Sequence, residues 1–150
     1  MIVTGSSSVA APRERLWQLL SDPAQLGEAL PGVDAVSLDG DNRFSALARP
    51  RTSLGETRME MNFEIAEQRP SEYVRISGSG YAGESLLSLM IELELADGGA
   101  ARTEASWRAE VALRGVLSSL LQRSLGPLFN QQVEEVLDAG ARICEGAGGG

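Results

Sequence analysis

The chain offers few side chains for acid-base or nucleophilic chemistry. It has no histidine and no lysine among its 150 residues, and its one thiol belongs to Cys144. This composition removes the commonest general base, the commonest metal ligand and every Ser-His or Cys-His nucleophile pair. An enzyme built on this sequence would need a buried carboxylate or one of its two tyrosines, with a strongly shifted pKa. The sequence therefore predicts no catalytic residue, no metal site and no cofactor.

Four polar residues in the middle of the chain are candidates for contacting the headgroup of a ligand: Asn62, Arg75, Tyr81 and Glu92. Arg75 and a facing carboxylate would orient such a headgroup if both lay in a pocket. The alternation of polar and apolar residues instead favours the solvent face for them, so we assign them no role. Cys144 falls on the apolar side of a predicted helix, which indicates a small core residue rather than a reactive thiol.

Charge and hydropathy exclude several classes of partner and place the protein in the cytoplasm. All 13 basic residues are arginines and 21 residues are acidic, so the net charge is −8, which predicts no nucleic-acid partner. No run of about 18 apolar residues is present, and the first residues lack the pattern of a signal peptide. A single cysteine excludes an internal disulfide.

The middle of the chain predicts consecutive antiparallel strands covered on one side only. Alternating apolar and polar residues, or turn signals such as Asp39-Gly40 and Asp97-Gly98-Gly99, mark the following segments: 33–38, 43–48, 55–65, 73–77, 87–95 and 103–113. The glycine-rich segment 78–83 is interpreted as a flexible connection with a twist or bulge.

The C-terminal part predicts one long amphipathic helix, in which apolar residues recur every three or four positions from Leu117 to Cys144. Pro127 should kink or split this helix. A gate over a cavity mouth is one interpretation. A packing adjustment, with Pro127 as the first residue of a second helical piece, is the favoured one. We expect one domain over residues 1–145 and a flexible glycine-rich tail over 146–150.

A series of motifs near the N-terminus resembles one protein family. The series is Gly5, Val9-Ala-Ala-Pro12, Leu16-Trp17, Ser21-Asp22-Pro23 and Leu30-Pro31-Gly32-Val33. In this order it resembles the opening of the carbon monoxide dehydrogenase G-subunit family, in the helix-grip (SRPBCC) superfamily of START lipid-transfer domains and polyketide cyclases. The resemblance implies an α+β helix-grip fold. Its parts would be a curved antiparallel sheet of about six or seven strands, two short N-terminal helices and one long C-terminal helix around an apolar cavity.

A sheet that curves around one helix leaves apolar space that a hydrophobic ligand can fill. The residues expected to line it come from the apolar faces of three strands and the last helix: Met59, Met61, Phe63, Leu89, Ile91, Trp107, Ala109, Leu121, Leu125 and Phe129. Trp107, between two alanines, is the first choice for ligand contact, and the methionines suit a surface that repacks around guests. For any one of these residues, a place in a filled core is more common than a place in a ligand pocket.

Three functions remain open at this point. Similarity to the family implies a noncatalytic accessory protein that binds a lipid or quinone-like molecule and assists a molybdenum hydroxylase through maturation, membrane recruitment or ligand handling. A polyketide cyclase or dehydratase-like enzyme that uses a pocket carboxylate or tyrosine is the alternative, and an interaction module with a filled pocket is the second. Many relatives continue into a membrane-associating tail, whereas this chain ends soon after Cys144. Peripheral contact with the inner face of the membrane and the oligomeric state therefore stay open.

Overall fold

The structure, a computed structural model, describes residues 1–30, 33–48, 51–52, 55–56, 59–82, 84–115 and 125–148. The strands are β1 (Ile2–Val9), β2 (Val33–Leu38), β3 (Arg43–Ala48), β4 (Arg51–Thr52), β5 (Gly55–Glu56), β6 (Met59–Arg69), β7 (Tyr73–Ala82), β8 (Ser85–Asp97) and β9 (Thr103–Arg114). The helices are α1 (Arg13–Leu20), α2 (Pro23–Ala29) and α3 (Leu125–Gly148).

Seven of these strands form one antiparallel sheet in the order β1-β9-β8-β7-β6-β3-β2, and β4 pairs separately with β5. Neighbours in the sheet are mostly neighbours in the chain, as short turns require. Two pairings are exceptions. The N-terminal strand β1 pairs with β9 at one edge, and β3 pairs with β6 although β4 and β5 lie between them in the chain. All three helices pack on one face of the sheet, called the inner face below, and the opposite face is the outer face. The α+β helix-grip prediction is confirmed.

The two predicted turn signals form tight hairpins. Gly40 has a φ of +95° and Gly99 a φ of +103°, a backbone conformation that glycine adopts without steric cost. The Asp39 amide donates to the Arg43 carbonyl at 2.9 Å, which closes the first hairpin, and the Gly99 amide donates to the Asp97 side chain at 3.0 Å. These turns fix the strand registers that bring the apolar residues to the inner face.

The prediction of a flexible connection over 78–83 is wrong for its described part, since β7 continues to Ala82 and pairs with β6 and β8 along its length. The reason is packing against the neighbouring strand. A Cβ added at Gly78 would lie 2.9 Å from Phe63 Cδ1, and one at Gly80 would lie 2.5 Å from Met61 Sδ. Glycine is needed here because large side chains of β6 lie across β7.

The two N-terminal helices are fixed by local capping and by one tryptophan. Asp22 caps α2 by accepting a hydrogen bond from the Ala24 amide at 3.1 Å, and Pro23 occupies the first helical position. Trp17 in α1 donates its indole N–H to the Tyr73 carbonyl at 3.2 Å, which anchors α1 to the start of β7.

The C-terminal helix α3 packs its apolar stripe against the two other helices and the sheet, burying Val133, Leu137 and Cys144. Gly140 lies against α1, where an added Cβ would be 3.3 Å from Leu19 Cδ2, so a small residue allows the two helices to approach. Residues 116–124, which bear on the kink expected at Pro127, lie outside the described residues. The helix continues to Gly148 and so includes the first three residues of the predicted tail. No helix in the described ranges is long and apolar enough to cross a bilayer.

Candidate functional site

The residues predicted to contact a ligand share the inner face of the sheet, beneath α3. Met59, Met61 and Phe63 alternate along β6, Leu89 and Ile91 along β8, and Trp107 and Ala109 along β9. Phe129 on α3 packs against the same hydrophobic cluster. The pairing of β6 through β7 to β8 aligns Phe63, Gly78 and Leu89 in one row across the sheet. Leu121 and the side chain of Leu125 lie outside the described residues.

This face divides into two halves that differ in burial. The closed half consists of fully buried residues, namely Val74, Ile76, Ile91, Leu93, Leu95, Ala105, Trp107 and Ala109. The open half consists of large side chains that are only half-buried, namely Met59, Phe63, Leu87, Leu89, Leu113 and Phe129. Met61 and Val111 lie among them but are buried, at 5% and 3% exposure. Apolar surface that is still accessible to solvent is therefore concentrated in the open half.

In the open half, the inner face of β7 carries two glycines, Gly78 and Gly80, and this part of the sheet is flat because they have no side chains. It is called the floor of the open half below. Phe63 lies over Gly78 and stacks on Phe44 with ring centroids 5.0 Å apart and an angle of 20° between the rings. Met61 likewise lies over Gly80. A side chain at either glycine would displace these residues into the space under α3. The sequence signal for this packing of large side chains over glycines is a glycine at every second position of a strand that pairs with large apolar residues.

The inner face carries no ionisable side chain over the described stretches Met59–Ile65, Val74–Gly80, Leu87–Leu95 and Ala105–Leu113. Burial raises the pKa of the Cys144 thiol on α3, which keeps it protonated near neutral pH. In the part of the chain that the structure describes, no three acidic, cysteine or histidine side chains converge to hold a metal ion. The face can therefore hold apolar groups, and it offers no described group for acid-base catalysis.

Trp107 is held in place by contacts on two sides. Its indole N–H donates to Asn130 Oδ1 on α3 at 2.9 Å, and the ring lies on Gly5 of β1, where an added Cβ would be 2.6 Å from Trp107 Cε2. The ring is 4% exposed. The sequence pattern made Trp107 the first choice for ligand contact, and it did not identify Asn130. An asparagine directly after Phe129 on the apolar side of α3 is the signal that could have found it.

The polar residues considered for a headgroup lie on the outer face. Arg75 Nη1 is 3.6 Å from Glu67 Oε2, and Tyr81 is 62% exposed. Glu92 accepts a hydrogen bond from the Tyr73 hydroxyl at 2.7 Å. Burial first, and then the hydrogen bond and negative charge of Glu92, raise the pKa of Tyr73 to about 12. A phenol that holds its proton this firmly is a poor general base at neutral pH.

A polar concavity lies at the end of the sheet next to the closed half. It is bordered by the start of α1, the β6–β7 turn and the β8–β9 hairpin. Its volume is about 460 Å³, and its charged residues are Arg13, Arg69, Glu72, Glu94, Asp97 and Glu104. The guanidinium of Arg69 lies 4.3 Å from the centre of the Tyr73 ring, where it stacks rather than pointing freely into the cleft. This polar, open cleft differs in chemistry from the apolar inner face.

The sequence of this chain was compared with protein families and with curated proteins, and its fold with solved structures. The family model for the G subunit of carbon monoxide dehydrogenase (CoxG) matches residues 5–139. None of the curated proteins matches the chain in sequence.

Solved structures share the fold at low sequence identity. A conserved protein from Geobacillus kaustophilus is 16% identical, with a TM-score of 0.87 over 98% of this chain and 97% of that one. A START superfamily protein from Mycobacterium smegmatis is 12% identical, with a TM-score of 0.70 over 97% and 98%. The Zhui aromatase/cyclase from Streptomyces sp. R1128 is 14% identical, with a TM-score of 0.60 over 97% and 93%. At these identities the likeness concerns the fold alone.

Proposed function

Since the chain belongs to the CoxG family of carbon monoxide dehydrogenase G subunits, we propose that it is a noncatalytic accessory protein that holds a hydrophobic ligand. The ligand lies between the inner face of the sheet and α3. One observation carries this proposal: the inner face is free of charge over its described stretches, and the large side chains of its open half are only half-buried. Such a surface gains free energy when an apolar molecule covers it.

The expected gain is sufficient for useful binding. Covering apolar surface contributes about 2.5 kcal/mol for each 100 Å² removed from water, against an association cost of at least ~4 kcal/mol. Phe63, Leu87, Leu89 and Phe129 together offer several partly exposed apolar groups for this contact. A molecule with a long apolar part, such as a lipid or a quinone-like compound, covers enough apolar surface to exceed the cost of association. A small polar metabolite does not.

The accessory role comes from the family. Its name refers to carbon monoxide dehydrogenase, and we propose a molybdenum hydroxylase as the partner of this chain, assisted through maturation, membrane recruitment or handling of the ligand. A location in the cytoplasm, with contact at the inner membrane face when the ligand is exchanged, is consistent with this role.

A cyclase or dehydratase-like enzyme is the second candidate, and the likeness to the Zhui aromatase/cyclase favours it at the level of the fold. Catalysis in the cavity would require an acid or base facing the ligand. The Tyr73 and Glu92 pair lies on the outer face, away from Val74 and Leu93. The carrier proposal needs no such group, and for that reason we prefer it.

Ligand binding can be tested with cis-parinaric acid, a fluorescent fatty acid, using two variants of neighbouring residues. Leu89→Gln places an amide in the open half, where burying it without a partner is costly. We expect its affinity for the probe to fall at least about tenfold. Met90→Gln makes a similar change on the outer face of the same strand and should bind like the wild type.

Native mass spectrometry of the protein purified from its own source gives an independent test. A co-purifying lipid or quinone-like molecule supports the carrier. If the wild type takes up no probe and carries no apolar molecule, the proposal is wrong, and an interaction module with a filled interior becomes the better description.

A further inference from the structure

One side chain joins the first described turns of α3 to the sheet. Asn130 Oδ1 accepts the hydrogen bond of the Trp107 indole on β9, and Asn130 Nδ2 donates to the Thr4 carbonyl on the edge strand β1 at 3.0 Å. An indole N–H can only donate and a carbonyl can only accept, so the orientation of the amide is fixed by its two partners. A single asparagine therefore connects three elements.

Gly5 makes this geometry possible. Trp107 and Gly5 are paired residues of β9 and β1, and the indole lies across the glycine. The ring thereby reaches the edge of the sheet, where its N–H meets α3. The cluster of Gly5, Trp107 and Asn130 is called the clasp below.

The clasp lies where the anchoring of α3 changes. On its C-terminal side, Val133, Leu137 and Ala141 are buried at 9%, 1% and 9% exposure. Leu128 and Phe129, on its N-terminal side, are only half-buried. Segments with few buried apolar contacts open locally more often than the rest of a protein. Among the described residues, the two hydrogen bonds of Asn130 join these turns of α3 to strands β9 and β1 of the sheet.

We propose that Asn130 is a positioning residue for ligand exchange: through the clasp it holds the first turns of α3 on the sheet and sets how often the open half becomes accessible. This inference rests on the proposed function, because it concerns the rate at which the same site exchanges its ligand. The amide need not touch the ligand to act in this way.

The test compares Asn130→Ala with Gln131→Ala. The first variant removes both hydrogen bonds of the clasp. The second removes a neighbouring exposed amide that makes a 3.5 Å hydrogen bond to Glu135 in the same helix.

Protein loaded with cis-parinaric acid is mixed with an excess of phosphatidylcholine vesicles, and the loss of probe fluorescence gives the dissociation rate. We expect Asn130→Ala to release the probe roughly tenfold faster than the wild type, because two hydrogen bonds that hold the closed state are lost. Gln131→Ala should match the wild type.

Hydrogen exchange provides a readout that a merely structural role would not produce. Loosening of the clasp should raise amide exchange within residues 127–133 and leave β7 and β8 protected. Asn130→Asp keeps the acceptor for Trp107 and loses the donor to Thr4, so an intermediate release rate is expected. This variant also serves if Asn130→Ala does not fold.

The outcomes distinguish a failure of the clasp proposal from a failure of the proposed function. If the wild type binds the probe and Asn130→Ala releases it at the wild-type rate, the clasp proposal is overturned and the carrier stands. Uniformly faster hydrogen exchange throughout the sheet also overturns it, since that result indicates global destabilisation. If the wild type binds no probe at all, the carrier proposal fails and the clasp loses its role with it.

Discussion

The two halves of the inner face use the same residue types for different purposes. Strand β8 shows this most directly, because Leu93 and Leu95 in the closed half are 3% and 4% exposed, whereas Leu87 and Leu89 in the open half are half-buried. All four leucines point to the same side of one strand. The difference therefore arises from what covers them and not from the strand itself.

Helix α1 accounts for much of the difference. Its three core leucines, Leu16, Leu19 and Leu20, are at most 1% exposed, and α1 contacts β7 and β8. Gly140 lets α3 pack closely against it. The closed half is buried like an ordinary core, and its apolar side chains therefore stabilise the fold. Stability and binding should accordingly respond to mutation in different halves.

The largest contrast should come from two identical substitutions on β8. Leu93→Ala removes a buried side chain and should lower the free energy of unfolding by about 3 kcal/mol. Leu89→Ala removes a half-buried one and should cost about 1 kcal/mol, while affinity for cis-parinaric acid falls roughly fivefold. Urea denaturation and fluorescence titration measure the two effects. Equal losses of stability at both positions would mean that the halves are not distinct.

A second effect should appear only at high pH, at Tyr73 beside the closed half. The pKa of Tyr73 is about 12 in the folded protein and about 10 in an unfolded chain, so the folded state holds the phenol proton more tightly. Its contribution to stability is fully present below pH 10 and is lost as the pH rises from about 10 to about 12.

Urea unfolding measured at intervals from pH 8 to pH 12 tests this dependence. Tyr73→Phe should flatten the alkaline part of the curve, because it removes the titrating group while keeping the ring under Arg69. A variant whose stability falls as steeply as that of the wild type would assign the alkaline loss to other groups.

A third contrast concerns the floor of the open half. Gly80→Ala would press a methyl group against the Glu60 carbonyl and Met61 Sδ, and overpacking of this kind costs about 1–3 kcal/mol. Gly126→Ala is the matched control, since no described atom lies within 4 Å of its added Cβ. It precedes Pro127, which disfavours the helical region for a residue with a Cβ, so alanine should bring little of its usual gain in helix propensity. The midpoint of thermal unfolding should therefore fall clearly for Gly80→Ala and change little for Gly126→Ala. A stable Gly80→Ala protein would show that β7 tolerates a side chain on its inner face.

Much of the fold could be predicted because local signals and periodicity act over short distances. The hairpin signal Asp39-Gly40 predicts strands over 33–38 and 43–48 on its two sides, and β2 and β3 have these bounds. The prediction of a flexible connection with a twist or bulge over segment 78–83 is wrong for its described part, because a run of glycines does not show which neighbouring side chains Gly78 and Gly80 accommodate. Their reason is a contact with β6 across the sheet, which depends on strand register and not on the local sequence.

The sequence could predict which residues share the inner face, but not how deeply each of them is buried. Alternation placed Phe63, Leu89 and Ile91 on one face, yet nothing in that pattern distinguishes the half-buried Leu89 from the buried Leu93. That distinction depends on where α1 ends and α3 begins to cover the sheet. The place of Asn130 on the apolar side of α3 could mark it as a candidate, but its hydrogen-bond partners follow only from the fold, because they are 23 and 126 residues away along the chain.

The smallest effect should come from the outer face directly behind the open half. Glu64 neighbours Phe63 on β6 but points to the other side, where Arg43 Nε is 3.2 Å from Glu64 Oε2 and both side chains are well exposed. Exposed ion pairs contribute less than about 1 kcal/mol, so Glu64→Gln should scarcely change the unfolding midpoint or the affinity for cis-parinaric acid. Phe63→Ala, one residue away, should weaken probe binding at least about fivefold, because it removes the aromatic floor stacked on Phe44. If both substitutions weakened binding equally, the probe would be responding to the charge or stability of the whole protein. A large difference in affinity between these two adjacent substitutions, measured on variants that remain folded, is what a ligand on the inner face predicts.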